Sequence, residues 1–121
     1  MAAEIRFRFS IVQHDGRKAD FGDASPAQII ARIRAHDWHA TYAARDAVVQ
    51  GGGKPVIANP GFLVHAMPEK ALISLQDNGK FRFQLGNNVF TDQDCDDLMT
   101  ALLVLAERRY QPPPGGCRVE T

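Results

Sequence analysis

Cysteine is scarce in this chain, and its two copies are badly placed for joint work. Cys95 falls in a predicted helix and Cys117 in a Pro/Gly-rich tail, so neither a disulfide framework nor a zinc knuckle is encoded. A reducing, cytoplasmic setting is therefore expected. No apolar run follows a basic start at the N-terminus, so an ordinary signal peptide is not expected. No stretch approaches the roughly 18 apolar residues of a membrane helix, so no membrane partner is expected either. Excess charge is also missing: 14 basic and 14 acidic side chains cancel. Dedicated nucleic-acid binding relies on surplus Lys and Arg, so no nucleic-acid partner is expected. What remains is an ordinary globular composition. The 121 residues, 45% of them hydrophobic, suffice for one domain whose core needs no disulfide or metal.

Residues 4–12 alternate. Ile5, Phe7, Phe9 and Ile11 point one way, and Arg6, Arg8 and Ser10 the other, which predicts a half-buried strand. His14 to Lys18 is a polar turn. Ser25, Pro26 and Gln28 open a helix: Ser25 is the N-cap, Pro26 takes the first position and Gln28 completes a capping box. Ile29, Ile30 and Ile33 form its apolar face. The helix is expected to fray at His36-Asp37-Trp38. Residues 40–50 fit either a helix, through Trp38, Tyr42 and Arg45, or the start of a strand at Val48-Val49. Gly51-Gly52-Gly53 then breaks regular structure. Pro55–Ala58 and Phe62–Ala66 read as short strands joined by an Asn59-Pro60-Gly61 turn.

The segment 71–85 is the most legible. A two-residue turn at Asn78-Gly79 would pair Leu75 with Arg82 and mix the two faces. A three-residue loop pairs Leu75 with Phe81, Ile73 with Phe83 and Ala71 with Leu85, and sets Ser74 opposite Arg82. That register puts every apolar partner on one face, and a one-residue slip would turn the phenylalanines to water. The expected connection is a type I turn with Gly79 left-handed in a G1 bulge. Thr91 is the expected cap of a last helix, with Asp94 in the box position. Cys95, Leu98, Met99, Leu102, Leu105, Ala106 and Arg109 recur at helical spacing. Asp92, Asp94, Asp96 and Asp97 match the positive end of its dipole, and Arg108 and Arg109 the negative end. The expected organisation is one domain over residues 1–111 and a weakly packed tail over 112–121.

No motif carries an assignable chemistry. His36 and His39 lack a third ligand at a zinc spacing. Gly51-Gly52-Gly53-Lys54 fails as a phosphate loop, because Pro55 has no hydroxyl for magnesium and cannot open the required helix. Cys95 lacks an identified histidine partner and is expected to be buried packing. No catalytic residue, metal or cofactor is therefore expected. The outward side of the predicted sheet is more informative. Arg6, Arg8, Lys80 and Arg82 are expected there, with Ser10, Ser74 and Gln84. A basic stripe on a neutral protein points to an acidic partner.

The capped helix from Ile29 to Trp38, the run Pro55 to Asn59, the hairpin Ala71 to Leu85 and the acidic-start helix Thr91 to Leu105 together resemble small bacterial immunity proteins that neutralise toxins. The resemblance is one of layout and transfers no functional residue. It implies a non-enzymatic inhibitor that binds its partner stoichiometrically. The expected fold is α+β: an antiparallel sheet of four to five strands with two helices packed on one face. The favoured function is protein binding, with Arg6, Arg8, Arg82, Trp38 and Tyr42 as interface residues, since Arg, Trp and Tyr are the types enriched at hot spots. Two alternatives stand beside it. One is a ligand-binding or enzymatic domain using His36, Asp37, His39 or His65 in a cleft. The other is a structural subunit of a larger assembly, and homo-oligomers are compatible with the sequence.

Overall fold

The computed structural model describes residues 6–66 and 69–109. The tail 112–121 and Cys117 lie outside the described residues, as does Ile5. The elements run β1 (Phe7–Val12), β2 (Lys18–Ala24), α1 (Pro26–Ala35), α2 (Trp38–Gln50), β3 (Gly61–Ala66), β4 (Glu69–Leu75), β5 (Phe81–Leu85), β6 (Asn88–Gln93) and α3 (Cys95–Arg109). The strands form one antiparallel sheet in the order β2-β1-β3-β4-β5-β6. The α+β class and the antiparallel sheet agree with expectation. The numbers do not: the described residues hold six strands and three helices, against the expected four to five and two.

The additional strands are the two at the sheet's edges. β2 is solvent-exposed over most of its length and bends at Gly22, which has φ +74°. β6 is exposed along nearly its whole length, and Asp92 adopts φ +59° where the register shifts against β5. Each pairs on one side only and breaks its own alternation, so neither carries a period-two apolar signal. The third helix comes from residues 38–50, whose ambiguity resolves as α2. Asp37 caps it by accepting from the Ala40 N–H at 3.0 Å, so α1 and α2 meet at a break at His36-Asp37.

Several local expectations hold. Ser25 accepts from the Gln28 N–H and Gln28 returns the bond, closing the capping box. The hairpin has the expected register, Leu75 with Phe81, Ser74 with Arg82, Ile73 with Phe83 and Ala71 with Leu85. The Gly79 N–H donates to the Gln76 carbonyl at 3.1 Å, with φ +84° at Gly79. Nothing crowds a side chain added there, so only backbone strain opposes one. Gly79→Val should destabilise by about 1–2 kcal/mol, the penalty of a left-handed β-carbon. Urea denaturation checks it, and an unchanged midpoint would remove the turn from the account.

Other expectations are corrected. Pro55–Ala58 is not a strand; it belongs to the irregular segment between α2 and β3, and Val56 is 73% exposed. Asn59-Pro60-Gly61 therefore links no two strands, and Gly61 opens β3 itself. Thr91 does not cap α3, because β6 pairing with β5 holds it in the sheet. The cap lies three residues on. Asp94 accepts from the Asp97 N–H at 2.8 Å, and Asp97 accepts from the Asp94 N–H at 3.0 Å. Cys95 is half-buried.

The core lies between one sheet face and the helices. Phe7, Phe9, Ile11, Phe62, Val64, Ile73, Phe81 and Phe83 supply the sheet side. Ile29 and Ile33 of α1 and Leu98, Leu102 and Leu105 of α3 supply the helix side, and α1 packs on α3. The first turn of α2 joins them through Trp38, whose ring meets Phe62 and Phe81 at 5.7 and 6.0 Å.

Candidate functional site

The other sheet face carries the residues that could meet a partner. Alternation places Arg8, Ser10 and Val12 of β1 there, with Leu63 and His65 of β3, Lys70, Leu72 and Ser74 of β4, and Arg82 and Gln84 of β5. Register sorts them into rows across the strands. Arg8 stands opposite His65, and His65 opposite Lys70. The next row is Ser10, Leu63, Leu72 and Gln84. At the far end Val12 faces Gly61, and Ser74 faces Arg82.

The two ends of this face differ. At the Arg8 end the row is open and basic. Arg8 and Asp20 form an ion pair, and that hydrogen bond holds the Asp20 carboxyl below the usual range. Lys18 and Lys70 are exposed, and neither makes an ion pair with a described residue. Burial, and then the charges of Lys70, Lys18 and Arg8, hold His65 below the ordinary imidazole value. The row holds Arg8, His65 and Lys70, with Asp23 opposite Arg8 on β2 and Asp20 paired to Arg8 from the next row; Lys18, registered opposite Val12, adds its charge at His65 from the other end of β2.

At the other end the expected solvated face is closed. Ser74 there is 1% exposed, and Ser10, in the middle row beside Leu63, is 4% exposed, although both point away from the core. The segment 54–60 runs along that end, from the β1–β2 turn to α2, with Asn59 at the Arg82 pocket. The Ile57 N–H donates to the His14 carbonyl at 2.9 Å, and Arg45 Nη1 to the Ala58 carbonyl at 3.0 Å. Arg82, expected in solvent, is half-buried. It lines a polar pocket of about 420 Å³ with Arg45, Asn59, Ser74, Gln76 and Asp77. Three buried side-chain atoms of the described residues lack a hydrogen-bond partner: Ser10 Oγ, His14 Nδ1 and Arg82 Nη1. Of these only Arg82 Nη1 belongs to a permanently charged group.

The five expected interface residues do not form one surface. From strand spacing and rise, Arg8 and Arg82 sit roughly 20 Å apart, at opposite corners of the outer face. Arg6 precedes β1 and does not follow its alternation. Its Nη2 donates to the Asp23 carbonyl at 2.7 Å, and it lies beside Phe9, Phe21 and Gln28 on the helix-bearing side. Trp38 is buried, with Nε1 donating to the Ile33 carbonyl at 2.9 Å. Tyr42 is half-buried. Its hydroxyl accepts from the Leu75 N–H at 2.8 Å and donates to the Leu75 carbonyl at 2.7 Å. Both rings therefore tie α2 to the sheet.

The histidine cleft does not assemble. His36 packs edge-on against Trp38 and Phe62 on the core side of the sheet, and its Nε2 lies 2.7 Å from Thr41 Oγ1. Burial holds it below the ordinary imidazole value. Asp37 serves as a helix cap, His39 is exposed, and His65 is on the opposite sheet face. The aspartate cluster is likewise taken up locally. Asp94 and Asp97 cap α3, and Asp92 accepts from Asn78 Nδ2 at 2.7 Å. Among the described residues no group of three or more His, Cys, Asp or Glu could hold a metal ion. No helix there is long and apolar enough to cross a membrane.

Sequence reasoning missed an apolar groove of about 390 Å³ between the β6 edge and α3, lined by Phe83, Leu85, Phe90, Ala101 and Val104. Its signal is Val104, an exposed apolar residue that extends the stripe of α3 beyond what one core face needs. Compared with protein-family models, curated proteins and solved structures, the chain finds no match.

Proposed function

We propose that the protein is a small protein-binding module of the inhibitor or immunity kind, engaging an acidic partner through the open half of its outer sheet face. The observation that carries this reading is the row Arg8, His65 and Lys70, side by side across three strands and ending at Asp23 on β2, with the Lys18 charge acting on His65 from the end of β2 opposite Val12. The adjacent row supplies the half-buried leucines Leu63 and Leu72. Apolar centres flanked by charge are the usual anatomy of a protein interface. The basic row attracts an acidic partner and acts mainly on the association rate, an effect that weakens with salt.

Lys18 and Lys70 are the residues to reverse, since Arg8 is engaged with Asp20. A Lys18→Glu/Lys70→Glu variant should keep its stability within about 0.5 kcal/mol, as exposed substitutions generally do. It should lose the stoichiometric partner that the wild-type protein retains from its native host at low salt. Equal retention of that partner by the reversed variant would overturn the reading.

A further inference from the structure

We propose that the pocket at the β4–β5 hairpin is a carboxylate-binding subsite, with Arg82 as its cation and Asn59 as its second donor. Most of the other polar groups around it are already engaged. Gln76 Oε1 accepts from the Asp92 N–H at 2.7 Å, and Asn78 Nδ2 donates to Asp92 Oδ1 at 2.7 Å. Tyr42 is fixed on the Leu75 backbone, accepting from its N–H and donating to its carbonyl. Arg45 donates through Nε and Nη2 to Asp46 Oδ1 at 3.1 and 3.0 Å, so its charge is balanced.

Against these held walls, the Arg82 guanidinium and the Asn59 amide make no hydrogen bond to any described residue. Arg82 Nη1 is shielded from solvent as well. A buried donor with no acceptor carries a desolvation penalty, larger when the group is charged. An incoming acceptor removes that penalty, and a rigid surrounding shell presents the donors without reorganisation.

Guanidinium geometry, with Asp77 nearby, selects the ligand. The Arg82 guanidinium faces the pocket, and Asp77 also lines it. The two charges offset, so net charge does not draw in an anion; Asp77 penalises a phosphate dianion more than a carboxylate monoanion, and the geometry of Arg82 favours the latter. The guanidinium fork fits a carboxylate with two parallel bonds. The volume, about 420 Å³, admits a small organic acid or the side chain of a partner's Asp or Glu. Lys70 stands four residues along β4 from Ser74, the partner of Arg82, and Lys18 four strands across from Arg82; neither lines the pocket, so the subsite and the proposed interface are tested by different substitutions.

The test is a titration of the full-length ¹⁵N-labelled protein, followed at the arginine Nε–Hε resonances at constant ionic strength. The probes are acetate, glutarate, N-acetyl-glutamate N-methylamide and inorganic phosphate. We expect saturable movement of the Arg82 resonance with the carboxylates and binding of phosphate at least about fivefold weaker. Arg82→Lys keeps the charge but not the fork, and should weaken carboxylate binding about tenfold. Saturation by the blocked glutamate as tight as by glutarate identifies a protein side chain as the source; saturation by the free acids alone identifies a small metabolite. Either supports the subsite. It is overturned if no carboxylate saturates below about 50 mM, if phosphate binds as well, or if Arg82→Lys binds like wild type.

Discussion

Trp38→Ala is expected to destabilise the protein by about 4 kcal/mol, a large fraction of the stability of a domain this size. The indole is packed on four sides, with ring centroids at 4.9 Å to His36, 5.7 Å to Phe62, 6.0 Å to Phe81 and 6.0 Å to Tyr42. Its Nε1–H meets the Ile33 carbonyl, one of the last carbonyls of α1 that the helix itself leaves unbonded. Truncation removes the ring from between α1, α2 and the sheet and strands that carbonyl. Trp38→Phe separates the two contributions. It keeps most of the packing and loses the hydrogen bond, so about 1–2 kcal/mol is expected. Because Trp38 is the sole tryptophan, unfolding of both variants has to be followed by far-ultraviolet circular dichroism in urea. A loss below about 1 kcal/mol for Trp38→Ala would mean that the ring is a surface group, as an interface role would require.

What could be read in the sequence follows from where each element sits in the sheet. β1, β3, β4 and β5 lie inside it, have one face on the core, and display alternation that gives their register directly. Leu75 opposite Phe81 is legible because only one loop length puts both on the apolar side. β2 and β6 are edges. Lys18–Ala24 needs only Phe21 and Ala24 to reach the core, and Asn88–Gln93 keeps Phe90 half in solvent. Their existence depends on hydrogen bonds to β1 and β5, which leave no trace in side-chain pattern. Thr91 and Asp94 offer the same local capping chemistry three residues apart, and pairing with β5 decides between them.

The outer face was legible in composition but not in geometry. Alternation correctly turns Arg8 and Arg82 away from the core. It cannot say that Asn59 and Arg45 come beside Arg82 and make it the wall of a pocket rather than a solvated cation. Nor can alternation apply to Arg6, which lies ahead of the first strand residue. The basic row therefore shifts from Arg6, Arg8 and Arg82 to Arg8, His65 and Lys70, with Lys18. His65 and Lys18 come from β3 and β2, whose pairing with β1 alternation does not reveal. Trp38 and Tyr42 have the residue types of hot spots, but those same types also serve as core anchors, and only burial separates the roles.

Gly61→Ala is expected to cost about 3 kcal/mol, at the upper end for added volume in a packed site. Gly61 has an ordinary negative φ, so the demand is one of space rather than of backbone conformation. A β-carbon built there would lie 2.1 Å from the Ile73 carbonyl oxygen, 2.9 Å from its carbon and 3.0 Å from Ser74 Cα. These are backbone atoms of β4, flanked by the fully buried Ile73 and Ser74, so no flexible side chain can move aside. Relief requires β3 to separate from β4 beside the Arg82 pocket. Gly51 is the matching control. It ends α2 at φ −80°, and a β-carbon there meets the Ala47 carbonyl oxygen at 3.4 Å. Gly51→Ala should therefore lie within about 0.5 kcal/mol of wild type, and the reduced freedom of the unfolded chain acts in its favour. Urea midpoints of the two variants, compared at equal denaturant slopes, decide the matter. If Gly61→Ala unfolds within about 1 kcal/mol of Gly51→Ala, the close approach of β3 to β4 is not a constraint on the fold.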